Sequence, residues 1–279
     1  MALTWKLLLP KSTNTIKPAR TSTEAKGYEQ SDIVPTDSDI GMPGNGGGDC
    51  GRDRADGCVV RTGRGMKYEL NKLYNMDCME AMKDIPDKYF ELAIVDPPYG
   101  IGVGCNIGRR KGEKKSPYEK ADWDKEPPEP EYFAELFRIS ANQVIFGANH
   151  FISRFAKDSR GWIVWDKKID EKTSFSMGEL IWTSFDRVLK IVRCSNTGGA
   201  NDIVKIVPSQ KPVEVYKWIL KTYASAGDKV VDTHAGSGSC EIACFDLGFD
   251  WIAFEKETST FAKAQKRLAD HKAQIRWAL

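Results

Sequence analysis

The chain has 279 residues, 41% hydrophobic and 29% charged, a composition that fits a globular protein and excludes a wholly disordered chain, a collagen-like repeat and a disulfide-stapled miniprotein. Forty-one Lys and Arg stand against 39 Asp and Glu, and a net charge of +2 gives no bulk attraction to a polyanion, so any such binding needs a local patch. Seven cysteines, at 50, 58, 78, 105, 194, 240 and 244, form no CxxC pair and no metal-finger spacing; this points to reduced thiols in a cytoplasmic setting and to no metal centre.

The opening apolar run is broken by Lys6 and Pro10, and nowhere do roughly 18 apolar residues run together, so neither a signal peptide nor a membrane span is expected. Residues 1–65 hold 10 of the 24 glycines, including the run 46–48, and show no helical or strand period. They read as a disordered leader or a start-site artefact, with the domain beginning at Met66 and running over 66–279.

From Met66 on, β-rich runs alternate with amphipathic stretches, the pattern of an α/β protein with a largely parallel sheet. Strands are predicted over 72–77, 91–96, 142–147, 162–166, 180–185, 188–193, 229–232 and 251–255, and helices over 78–85, 130–140, 213–224, 240–247 and 257–273. The runs 180–185 and 188–193, separated only by Asp186 and Arg187, read as an antiparallel hairpin ending the sheet. Cys240 and Cys244 share a helix face and read as core thiols.

The first segment with chemistry in it is the strand that runs into Asp96-Pro97-Pro98-Tyr99. A carboxylate at the carboxyl end of a strand stands at the edge where open α/β sheets bind ligands. Two prolines then remove N–H donors and break both helix and sheet, so the loop presents acceptors. Asp96 and the Pro97 carbonyl suit the two hydrogens of an exocyclic amine, and Tyr99 suits stacking on the ring that carries it. An aryl amine is a poor nucleophile, and two acceptors on its hydrogens localise its lone pair.

The second segment is Asp232-Thr233-His234-Ala235-Gly236-Ser237-Gly238-Ser239, between a strand and a helix, with Glu255 closing the next strand. This is a nucleotide-binding βαβ pattern: glycines for close backbone approach and an acid suited to a ribose diol. It has neither a full G-x-G-x-x-G nor a GK[ST] lysine, so a ligand with a ribose and little phosphate fits best.

Together these segments resemble the amino-group (N6-adenine/N4-cytosine) DNA methyltransferases, over essentially all of 66–279. The catalytic motif precedes the glycine-rich one, as in the permuted β-class subgroup common in restriction-modification systems and phages. Asn75-Met76-Asp77-Cys78 and Ser209-Gln210-Lys211-Pro212 also resemble motifs of that subgroup. The resemblance implies a Rossmann-like S-adenosylmethionine-dependent methyltransferase fold and S-adenosylmethionine as cofactor. It assigns Asp96, Pro97, Pro98 and Tyr99 to the flipped base, and Asp232, Ala235, Gly236, Ser237, Gly238 and Ser239 to the methionine part of the cofactor. Glu255 goes to the ribose hydroxyls, Asp77 to the cofactor adenine and Lys211 to the methionine end. Two departures stand out: Pro208-Ser209 where the subgroup often has His-Thr, and Asp232-Thr-His where it often has Asp-Pro-Phe.

Asp at the head of the catalytic motif goes with adenine N6 in this family and Ser with cytosine N4, so the expected activity is site-specific adenine-N6 methylation of double-stranded DNA. The alternatives are cytosine-N4 methylation and a non-catalytic nucleic-acid-binding protein that keeps the fold. Arg109, Arg110, Lys111, Lys114 and Lys115 follow the catalytic loop and form the local basic patch expected to hold DNA phosphates. The subgroup is often dimeric, which makes a homodimer a further expectation.

Overall fold

The strand and helix boundaries follow the apolar runs closely. In this computed structural model the described residues are 66–102, 124–172, 176–196 and 205–276, all within the unit Cys58–Leu279. The expectation for residues 1–65 and the basic residues 109–115 lie outside the described residues. In chain order the elements are β1 (Lys72–Asn75), α1 (Cys78–Met82), β2 (Phe90–Val95), α2 (Pro130–Ile139), β3 (Ser140–Phe146), β4 (Ile163–Asp166) and β5 (Gly178–Thr183). They continue with β6 (Lys190–Arg193), α3 (Val213–Tyr223), β7 (Lys229–Asp232), α4 (Ser239–Leu247), β8 (Asp250–Glu255) and α5 (Thr258–Arg276).

The strands form one sheet in the order β1-β8-β7-β2-β3-β5-β4-β6, parallel throughout except for β5, which runs antiparallel to both β3 and β4. The period of two along each strand sorts side chains onto two cores. Leu92, Ile94, Val144, Phe146 and Val230 pack under α3, α4 and α5, through Val215, Ile219, Leu220, Ile242 and Leu268. Ala93, Val95, Ile145, Val231 and Ile252 face the other way, onto α1 and α2 through Met82, Phe133 and Leu136. This explains why β2 reads as a continuous apolar run: it is central, with helices on both faces. Cys240 and Cys244 are buried on the first turns of α4, as their helical spacing predicts.

The terminal hairpin is not formed. β4 lies between β5 and β6, pairing antiparallel with β5 and parallel with β6. Both edges of β5 are already taken, by β3 and β4, so the chain must cross past it to reach a free edge. The burial pattern agrees: Ile181, Trp182 and Thr183 are buried as in an interior strand, while β6 buries only Val192 and leaves Ile191 exposed. The sheet's antiparallel hairpin is therefore β4 with β5. Among the described residues no helix is long and apolar enough to cross a membrane.

Strand order also places the site. From β7 the chain moves to β8 on one side, and from β2 it moves to β3 on the other. Because β7 and β2 are neighbours, the loops leaving their carboxyl ends diverge and open a crevice between them, the topological switch point of an open α/β sheet. The two motif segments leave from these strands.

Candidate active site

Asp96 follows the last residue of β2, and its side chain is mostly buried. Its Oδ1 accepts a hydrogen bond of 2.7 Å from the Tyr99 hydroxyl, and its Oδ2 meets Lys211 Nζ at 2.5 Å. The Asp124 carboxylate fixes the loop by accepting from the N–H groups of Tyr99 (2.7 Å) and Gly100 (3.0 Å). The Tyr99 ring lies parallel to His150, with centroids 5.2 Å apart, and presses on Gly147 at the exit of β3. Gly147 has φ +64°, and a Cβ there would come within 2.2 Å of Tyr99 Cε1, so both backbone and ring require glycine.

A second acid completes the cluster. Glu179, on β5, shares the single proton of the Tyr99 hydroxyl with Asp96, lies 3.2 Å from Lys211 Nζ and pairs with Lys167 Nζ at 3.1 Å. Burial alone would raise the Glu179 carboxyl, but Lys211 and Lys167 more than offset it and hold the pKa below the ordinary carboxylate value. Burial raises Asp96, and Glu179 adds to that, against the pull of Lys211. Tyr99 is pushed well up by burial and stays a neutral donor. Two carboxylates and two ammonium groups thus balance in a nearly water-free pocket.

The turn after β7 is tied to the β8 edge. Ala235 N–H bonds to the Phe254 carbonyl at 3.0 Å, and Gly236 N–H donates to Glu255 Oε2 at 2.9 Å. Asp232 Oδ1 accepts from His234 N–H at 2.9 Å, while Gly238, at φ +76°, opens α4. Ser239 Oγ donates to the Lys211 carbonyl at 2.7 Å. Lys211 therefore joins the two segments, its backbone against the glycine-rich turn and its ammonium on Asp96. Asp77 caps α1 by accepting from Met79 N–H at 2.8 Å and pairs with Lys256 at 2.7 Å; β1 and β8 run in register here, Asn75 opposite Glu255.

The structure brings Asp96, Tyr99, Lys211, Asp232, Gly236, Ser239, Glu255 and Asp77 to one edge of the sheet. Sequence reasoning missed Glu179, although one charge in the strand Gly-Glu-Leu-Ile-Trp-Thr was a readable signal. It also missed Glu241, an acid in the first turn of α4 that is only 1% exposed. The donor set fits S-adenosylmethionine. Each Glu255 oxygen accepts one backbone N–H, from Gly236 or Glu257, and keeps a lone pair for a ribose hydroxyl. Glu241 adds buried carboxylate oxygens that accept no hydrogen bond from another residue, which suits a cationic ligand.

Residues 164–266 match the family model for DNA methylases, N6_N4_Mtase. The chain is 23% identical over 250 residues to the type II methyltransferase M.HinfI of Haemophilus influenzae, covering 73% of this chain and 69% of that protein. Similar solved structures include the M1.HpyAVI–SAM complex (20% identity, TM-score 0.48, 71% of this chain and 98% of that one). They also include the cytosine-N4-specific PvuII DNA methyltransferase (12% identity, TM-score 0.49, 73% of this chain and 91% of that one). The family match begins inside β4, so it contains the glycine-rich turn and Glu255 but not the Asp96 loop, which lies earlier in the chain and meets them only in space. The part of the chain that carries the glycine-rich turn and Glu255 thus matches the DNA methylase family model, and Lys211 joins it to the Asp96 loop.

Proposed function

We propose that the chain methylates N6 of an adenine turned out of double-stranded DNA. Asp96 carries this reading. The resemblance pairs Asp at this position with adenine, and its two oxygens bond to Tyr99 and to Lys211, whose carbonyl bonds to Ser239 of the glycine-rich turn. S-adenosylmethionine supplies, when bound, an electrophilic methyl carbon on a sulfonium.

The chain's own residues prepare the amine. In the free protein both Asp96 oxygens are engaged by internal donors, Tyr99 and Lys211. A base amine enters by exchange, its N–H replacing the Tyr99 hydroxyl on Oδ1, so one hydrogen bond is traded for another. Glu179 keeps Lys211 and Tyr99 anchored while this happens. Once Asp96 and the Pro97 carbonyl accept the amine hydrogens, the nitrogen lone pair is localised away from the ring. The proton that nitrogen loses on methylation passes to Asp96, whose raised pKa suits it to take one. Arg109, Arg110, Lys111, Lys114 and Lys115 are assigned to the DNA phosphates on their charge and their place after the catalytic loop.

The test is incubation of the full chain with methyl-labelled S-adenosylmethionine and unmethylated genomic DNA, followed by mass spectrometry of the nucleosides. N6-methyladenine is the expected product. N4-methylcytosine would overturn the base assignment and leave the family intact. Absence of any labelled nucleoside from a protein that binds the cofactor would overturn the reaction.

A further inference from the structure

The Tyr99 hydroxyl has one hydrogen and two carboxylates that can accept it. Asp96 Oδ1 lies 2.7 Å away, and Glu179 Oε1 meets the same oxygen from β5. The third polar neighbour, Lys211 Nζ at 3.1 Å, is an ammonium with donors only, so it takes no hydrogen. Among the described residues the hydroxyl hydrogen therefore goes to Asp96 or to Glu179.

The phenol cannot swing away to change partner. Asp124 holds the backbone N–H groups of Tyr99 and Gly100. A Cβ on Gly147 would stand 2.2, 2.3 and 2.7 Å from three consecutive ring atoms, Cε1, Cζ and Cδ1, which puts the glycine backbone against the face of the ring. His150 stacks parallel to the ring and Phe151 packs at 6.2 Å. The oxygen stays in place, and the freedom left is rotation of the O–H about its C–O bond.

Glu179 is set up as a permanent acceptor. Its side chain is 12% exposed, its Oε2 pairs with Lys167 at 3.1 Å and its Oε1 with Lys211 at 3.2 Å. Lys167 is itself held: its N–H donates to the Met177 carbonyl at 2.9 Å, and its ammonium lies 5.1 Å from the Trp165 ring centroid. Burial would raise the Glu179 carboxyl, but the two ammonium groups more than offset it, so it stays ionised and accepts.

The amine of the base needs Asp96 Oδ1, the oxygen the phenol occupies in the free protein. With Asp96 as its sole acceptor, the displaced O–H would be stranded in a buried site, which is unfavourable. We propose that Glu179 is a positioning residue for the amine: it takes the Tyr99 hydroxyl hydrogen as the base arrives and so frees Asp96 Oδ1. No covalent bond forms or breaks in this step; the O–H turns from one carboxylate to the other while a base N–H takes its place. The proposal rests on the amine-holding role of Asp96 and extends it to a residue outside both motif loops.

The test uses the full chain with DNA and S-adenosylmethionine, and separates reach from charge. Glu179→Asp keeps an anion beside the two lysines and withdraws it from the phenol by one methylene. It is expected to lower kcat by about tenfold or more, with KM for DNA and affinity for S-adenosylhomocysteine each within about twofold of wild type. In a Tyr99→Phe background, which has no hydroxyl hydrogen to rehouse, the same substitution is expected to lower kcat by less than about twofold. Equal losses in the two backgrounds would mean that Glu179 acts through packing or charge alone and would overturn the proposal. So would an unchanged kcat in Glu179→Asp. If Glu179→Asp loses S-adenosylhomocysteine binding and so has not folded, Glu179→Gln carries the comparison, because a neutral amide accepts more weakly than a carboxylate. Its loss is expected to shrink by at least about threefold in the Tyr99→Phe background, and a loss of the same size in both overturns the proposal. A wild-type chain that transfers no methyl group to any base would overturn the reaction and this assignment with it, a result distinct from the others.

Discussion

Lys211 and Asp96 are 115 positions apart in sequence, yet the Lys211 ammonium meets the Asp96 carboxylate at 2.5 Å across the seam between the two motif loops. The pair is buried, so its effect is decided by what happens when one partner is removed. Deleting a partner from a buried ion pair leaves an uncompensated charge and costs about 3–5 kcal/mol, far more than the net contribution of the pair. Lys211→Met should therefore lower unfolding free energy by about 3 kcal/mol or more in urea denaturation. Adding Asp96→Asn to it should return part of that loss, because the stranded charge is gone. Strict additivity of the two substitutions would show that the two side chains are not energetically coupled.

The Asp96 loop should separate chemistry from cofactor binding. Asp96 holds the amine, while the cofactor is assigned to the turn after β7 and to Glu255. Asp96→Ala should lower methyl transfer by at least about 1000-fold, at the upper end of what loss of one such acceptor costs. Its affinity for S-adenosylhomocysteine should stay within about threefold of wild type, measured by calorimetry. Substantial remaining turnover would remove Asp96 from the mechanism.

How much of this could be read from the residues depends on the range of the interaction that decides each feature. β2 and β7 are short apolar runs ending in Asp96 and Asp232, and local pattern alone locates both site loops. The 180–193 segment misled because its two halves are close in sequence and each is β-rich. Which strands share an edge is decided by β4, whose buried Ile163 and Trp165 fill the space between them. Glu179 was hidden for the same reason. Its partners Tyr99 and Lys211 come from elements on which its own strand carries no information, and only the insertion of β5 beside β3 brings them together. Glu241 looks like an ordinary acid favouring a helix N-terminus. Only the packing of α3 and α5 around α4 shows that it never reaches water.

Gly147 should tolerate no side chain. A Cβ would stand 2.2 Å from Tyr99 Cε1 and 2.3 Å from Cζ, on a backbone already at φ +64°. Gly147→Ala should lose about 2 kcal/mol of stability from backbone conformation and overlap together. Because part of that cost is the ring, Gly147→Ala combined with Tyr99→Leu should be less destabilised than the sum of the two. Equal and additive losses would place the Tyr99 ring elsewhere.

The basic residues after the catalytic loop make a prediction on charge alone. Replacing Arg109, Arg110 and Lys111 with Gln should weaken DNA binding and lower the slope of log affinity against log salt by up to about three, one unit for each phosphate that is no longer neutralised. Fluorescence anisotropy of a labelled duplex over a salt series measures it directly. An unchanged slope would discard these residues as phosphate ligands.

His234 makes stability depend on acid. Burial drives its pKa down from 6.5 to about 4, against a small opposing pull from Asp77. Its ring meets Tyr132 edge-on at 5.2 Å, and its Nδ1 lies 3.0 Å from Thr233 Oγ1, so the neutral form is the one the fold accommodates. A depressed folded-state pKa means that the unfolded chain takes up a proton first. Stability from this group is thus complete above 6.5 and is lost as pH falls from there toward about 4. The loss should approach about 1.4 kcal/mol per pH unit in that window. Asp232 and Glu241, raised rather than lowered by burial, act in the opposite sense, so the comparison must be between variants at fixed pH. His234→Phe keeps an aromatic ring beside Tyr132 and cannot be protonated. Urea unfolding of both proteins between about pH 7 and pH 5 should show a shallower acid-side decline for the variant. Parallel curves would mean that folding does not shift the His234 pKa.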